Sequence, residues 1–153
     1  MPTRPDRAAL LEGLAEAALV AGAAIQRHFD AGVEAEWKAD SSPVTAADRE
    51  AEAILLEALA RLDPQTPVVA EEEAAAGRIP QVAARFYLVD PLDGTREFVR
   101  RGSDFTVNVG LVEDAGITLG VIYASARGEL FCGDVARGVA WRTEQPAGAP
   151  LSD

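Results

Sequence analysis

The chain has 153 residues, 48% hydrophobic and 25% charged, the proportions of one globular domain able to bury a core. Its 25 acidic and 14 basic side chains leave a net charge of −11, which argues against nucleic-acid polymers and anionic membrane surfaces as partners. A single cysteine, Cys132, and a single histidine, His28, exclude an internal disulfide and a zinc cluster of thiolates and imidazoles.

No stretch approaches the roughly 18 uncharged apolar residues of a membrane span, and the charged start is unlike a signal peptide. A soluble, cytoplasmic protein is the expectation. Along the chain, Leu11, Leu14, Ala18, Ala21, Ile25 and Phe29 recur at steps of three and four, one face of a helix over 7–29 that Gly32 ends. After the polar run 38–42, Pro43 breaks the chain. Thr45, three residues before Asp48, then has the pattern of an N-terminal cap. The second helix should run to about Arg61 and bury Ile54, Leu55, Ala58, Leu59 and Leu62.

Asp63 and Pro64 stop that helix. A short buried strand at 67–70 then runs into Glu71-Glu72-Glu73. The stretch 74–84 reads as a loop before the apolar run Phe86-Tyr87-Leu88-Val89, a second strand that also ends in a carboxylate, Asp90. A short helix is expected over 95–101, closed by Gly102. Period-two alternation at 105–111 and turns at 113–116 and 127–129 then give an antiparallel meander with further strands at 117–124, 130–132 and 139–142. The domain is placed at 1–144, with 145–153 as a tail or the start of a linker.

The chemistry concentrates in Asp90-Pro91-Leu92-Asp93-Gly94-Thr95. Two carboxylates across a Pro-containing turn, with the Leu92 carbonyl, offer only hard oxygen ligands, the set that suits magnesium, or manganese in its place, rather than zinc or copper. Gly94 lets the backbone approach a ligand closely, and the free amides at the helix start after it attract an anion such as phosphate. Glu71 and Glu72 end the neighbouring strand, so four carboxylates could hold two or three ions. Two ions about 3.5–4 Å apart clamp a phosphoryl group and turn water into a nucleophile.

These residues, with Asp40-Ser41-Ser42-Pro43-Val44-Thr45-Ala46-Ala47-Asp48, Val68-Val69-Ala70-Glu71-Glu72, the run LVDPLDGTREF at 88–98, and Phe105-Thr106-Val107-Asn108-Val109, resemble the lithium-sensitive, magnesium-dependent phosphatases typified by inositol monophosphatase. The Arg96-Glu97-Phe98 continuation is most similar to the 3'(2'),5'-bisphosphate nucleotidases. The resemblance implies an α+β, layered sugar-phosphatase-like domain of two helices on a mainly antiparallel sheet. It further implies that Glu71, Asp90 and the Leu92 carbonyl bind one metal and Asp90 with Asp93 another, and that Glu72 assists beside them. Thr95 with Asp48 would polarise the attacking water, and the amides of Gly94 and Thr95 would hold the phosphate.

By the same resemblance the substrate is a small phosphate ester, adenosine 3',5'-bisphosphate, a by-product of sulfate assimilation. An inositol phosphate is the enzymatic alternative, and a non-catalytic remnant of the fold is the alternative of another class. The family's second domain, with its Trp-Asp-x-Ala-Ala-Gly motif, has no counterpart here, since neither Trp37 nor Trp141 precedes Asp. The expectation is a truncated form whose exposed apolar surface favours a homodimer or aggregation.

Overall fold

The computed structural model describes residues 5–32, 34–38, 43–78 and 84–148. Helix α1 (Arg7–Ala31) begins where the Asp6 carboxylate accepts the Ala9 amide at 3.2 Å, and ends at Gly32, whose φ of 95° releases the chain from helical geometry. Its length and hydropathy would suffice to cross a membrane, yet Leu10, Leu14, Ala18, Ala21 and Ile25 are buried inside the fold, which makes it the core helix. The small residues on that face let it lie close to the sheet. A Cβ on Gly22 would fall 2.3 Å from the Tyr123 ring.

A hairpin follows, β1 (Ala35–Trp37) antiparallel to β2 (Pro43–Thr45), which hydropathy alone did not indicate because Trp37 and most of β1 face outward. The residues Asp40, Ser41 and Ser42 of the sequence motif lie outside the described residues, as does 79–83 of the expected loop. Helix α2 (Ala46–Leu62) has the expected reciprocal cap, with Thr45 and Asp48 each bonding the other's backbone amide.

Strand β3 (Val68–Ala70) lies parallel to β4 (Arg85–Asp93), and β4 to β5 (Thr106–Glu113), β6 (Gly116–Ala124), β7 (Glu129–Asp134) and β8 (Val139–Glu144) make an antiparallel meander, so the six strands run in chain order. Two local expectations change. Glu71–Ala75 is a short helix, α3, rather than loop or simple strand end, and β4 continues through Pro91 to Asp93 instead of turning at Asp90. Pro91 is tolerated because the register shifts between Asp90 and Asp93, which removes the need for its missing donor. Helix α4 (Thr95–Val99) follows at once.

Helices α1 and α2 cover one sheet face, where Tyr87, Val89, Val107, Leu111, Val121 and Tyr123 are buried. Phe29, Phe98 and Phe105, with ring centroids 5.1–5.6 Å apart, pin α4 to the end of α1. On the other face Leu88, Ile117, Ile122 and Phe131 stay 38–58% exposed, and none of the described residues covers them. They line a trough of about 1220 Å³ that reaches Glu71 and Asp90. Packing extends into Gln145, which is buried and whose carbonyl accepts the Tyr123 hydroxyl at 2.7 Å.

At the sheet end far from Asp90, charges alternate in a chain: Asp63, Arg85, Glu113, Arg7, Asp134 and Arg137, with contacts of 2.6–3.1 Å. Burial alone would raise the Asp134 carboxyl, but hydrogen bonds from Arg137 and Arg7 overcome it and hold the group at about 2. The unfolded value is near ~3.9. This lowered pKa stabilises the fold above about pH 4, and the contribution fades as pH falls through 2. Asp134→Asn should therefore cost roughly 2 kcal/mol at pH 7 and little below pH 2, which urea unfolding at both pH values measures.

Candidate metal and phosphate site

Two helix starts and one strand end bring the acids into one neighbourhood, and a third helix start brings Thr95. The parallel register sets Ala70 opposite Val89, so Glu71, the next residue, arrives beside Asp90. Asp48 comes from the first turn of α2, Glu71 and Glu72 open α3, and Thr95 opens α4. Between Asp93 and Thr95 the chain needs a left-handed residue. Gly94 has φ 92° and ψ 37°, and a Cβ there would meet the Asp104 carbonyl at 2.7 Å.

Asp48 is fully buried and bonded on both oxygens. Oδ2 accepts the Thr45 amide at 2.8 Å and its hydroxyl at 2.7 Å, while Oδ1 lies 2.9 Å from the Thr95 hydroxyl. That hydroxyl is also 3.1 Å from the Leu92 carbonyl, so its one proton is shared between two acceptors. Burial raises the Asp48 pKa against these hydrogen bonds. Asp48 therefore serves as cap and as hydrogen-bond acceptor for the Thr95 hydroxyl in a single arrangement.

Asp90 is the most perturbed acid. Burial, then its contact with the Glu71 carboxylate and the charges of Glu71 and Asp93, push it up to about 8. Its Oδ1 is buried with no hydrogen-bond partner. An oxygen removed from water without a donor costs free energy until a proton or cation reaches it. Glu72 is raised as well, first by burial, and the neighbouring Lys38 opposes the shift. Asp93 turns outward, its Oδ2 3.2 Å from the Asn108 amide nitrogen.

Magnesium, or a similar hard cation, fits this donor set, which consists of carboxylate and carbonyl oxygens, one of them buried and unsatisfied. The acids meet in pairs rather than around one point, and among the described residues no three His, Cys, Asp or Glu side chains form a ready cage. Like charges stay apart without a cation between them. The Lys38 ammonium takes part of that role, 3.6 Å from Glu71 and 3.4 Å from Glu72.

Three contributors escaped the sequence reading. Lys38 lay in a stretch read only as polar. Glu52, buried on α2, accepts the Glu72 amide at 2.8 Å and so fixes the start of α3. Asn108 pairs with Asp90 across the ladder, and its place in the alternating run 105–111 was the available signal for it.

Comparison with known proteins follows the same outline. The sequence pattern of the inositol monophosphatase family matches residues 6–150. The chain is 42% identical over 137 residues to the 3'(2'),5'-bisphosphate nucleotidase CysQ of Salmonella typhimurium, covering 88% of this chain and 55% of that protein. It superposes on the extragenic suppressor protein suhB of Bartonella henselae with a TM-score of 0.76 at 28% identity, over 90% of this chain and 53% of the other. For CysQ of Bacteroides thetaiotaomicron, a bacterial member of the inositol monophosphatase family, the TM-score is 0.69 at 30% identity, over 94% and 52%. The chain thus spans about half the length of the relatives it matches.

Because the folded-state pKa of Asp90 lies above the unfolded value, the metal-free protein retains this group's favourable contribution only at low pH and loses it as pH rises through about 8. Asp90→Asn removes the charge. Thermal unfolding in EDTA should show the variant more stable than the parent at pH 8.5, by roughly 1–3 kcal/mol, with the gap closing towards pH 5.

Proposed function

The chain belongs to the inositol monophosphatase family, and from that membership we propose that it is the acid-bearing half of a magnesium-dependent phosphomonoester hydrolase acting on a 3'(2'),5'-bisphosphate nucleotide. The observation that carries the reading is the hydrogen-bonded set Asp48, Thr95 and Leu92 beside the buried, donor-less oxygen of Asp90. The substrate class comes from the nucleotidase likeness at 42% identity.

In this reading Glu71, Asp90 and the Leu92 carbonyl would hold one ion, Asp90 and Asp93 a second, and Glu72 would support them or meet a third. Bound cations would supply the positive charge that steadies the phosphoryl group and the departing oxygen. The amides of Gly94 and Thr95 orient the phosphate. A water attacks phosphorus in line as the ester P–O bond breaks, and the departing oxygen takes a proton from solvent to leave as the alcohol. The water's proton passes to the Thr95 hydroxyl while that hydroxyl's own proton moves to Asp48, whose raised pKa suits it to receive one. Lys38 must leave Glu71 and Glu72 when cations enter.

The open sheet face exposes an apolar trough, and two copies would associate through it. Light scattering on the 153-residue protein should show dimers or larger species. A non-catalytic, cation-binding domain is the reading of another class.

Phosphate release from adenosine 3',5'-bisphosphate and from inositol 1-phosphate, with magnesium and with EDTA, separates these readings. Magnesium-dependent release from the bisphosphate, reduced about 10²- to 10⁴-fold by Thr95→Ala, supports the proposal. Preference for the inositol ester overturns the substrate assignment, and magnesium binding without any release supports the non-catalytic domain.

A further inference from the structure

Three consecutive residues of β1 side reach three different helices. Glu36 Oε2 lies 2.5 Å from Arg49 Nη2 on α2. The Trp37 ring centroid is 6.0 Å from the Arg96 guanidinium carbon on α4. The Lys38 ammonium stands 3.6 and 3.4 Å from Glu71 and Glu72 on α3. These are the helices whose first turns carry Asp48, Thr95 and the glutamate pair. The partner strand β2 runs straight into α2 through Thr45, so the hairpin is tied to the acids by covalent chain on one side and by side chains on the other.

Trp37 is the informative member. It is 63% exposed, so burial does not account for an indole on a three-residue strand. Its ring instead meets a cation adjacent in sequence to Thr95. Each contact alone is weak, since exposed ion pairs and exposed cation–π contacts contribute roughly 1 kcal/mol or less. Their joint effect is on position. A shift of one helix start relative to the others changes the spacing of the oxygens that must converge on an ion.

We infer that Glu36 and Trp37 are positioning residues of a clasp that sets the relative placement of the three helix starts, and through it the affinity of the acidic cluster for a hard divalent cation. The inference rests on the metal-binding reading above. Trp37 carries no charge, so removing it takes no charge from the cluster and releases the contact that fixes Arg96 beside Thr95.

The test is Mn²⁺ titration by calorimetry, with thermal unfolding and amide exchange, on the parent, Trp37→Ala, Trp37→Phe and Glu36→Gln. Trp37→Ala should bind Mn²⁺ about two- to five-fold more weakly, the range an exposed cation–π contact supports, with Trp37→Phe in between. Its melting temperature should stay at the parent's value, while amides in β2 and α4 exchange faster. Parent-like affinity with parent-like exchange overturns the clasp, and so does a lowered melting temperature with unchanged affinity, which marks a merely structural tryptophan. If the parent binds no Mn²⁺, the functional reading falls. Amide exchange then decides the clasp by itself: faster exchange in Trp37→Ala supports it and unchanged exchange sinks it.

Discussion

Everything in the site follows from placing carboxylates close together where water cannot solvate them fully. Asp90, pushed up to about 8 by burial and by Glu71, is the clearest case, and its donor-less Oδ1 shows that the polypeptide leaves part of that cost uncompensated. Asp48, Glu52 and Glu72 are displaced the same way, burial coming first in each. A globular fold with no use for such a cluster would separate these groups. Here Lys38 offsets some of the charge, and a hard cation would offset the rest.

The remaining architecture makes that concentration tolerable. The parallel pair β3 and β4 brings Glu71 to Asp90, and the bulge at Pro91 carries the chain on to Asp93 and Gly94. At the opposite sheet end the alternating chain from Asp63 to Arg137 ties α1, α2, β4, β5 and β7 together. One end of the sheet is thus cross-linked by matched charges and the other left with unmatched ones.

Most of this was legible in the residues. The steps of three and four in 7–29, the Thr45 cap and the alternation in 105–111 each correspond to an element, because apolar periodicity records which face is buried. The short pieces were harder. The hairpin β1–β2 gave no hydropathy signal, since most of β1 faces outward and the burial on β2 falls at Val44 and Thr45. Helix α3 was hidden because glutamates straight after an apolar run read as the end of a strand, whereas here they open a helix whose Glu72 amide is met by Glu52. Strand β4 ran past Pro91 because a bulge, which no local pattern announces, excuses the proline. The acids were identifiable by type and spacing, but their pairwise arrangement and the intrusion of Lys38 depend on contacts across 34 residues of sequence.

The central claim is that Glu71, Asp90 and the Leu92 carbonyl share one cation. A crystal of the protein soaked in Mn²⁺, with diffraction recorded at the manganese edge, tests it most directly. The account predicts an anomalous peak bonded to those three groups, with the Lys38 ammonium moved away from Glu71 and Glu72. Saturating Mn²⁺ with no peak there, and Lys38 still lodged between the glutamates, would contradict it.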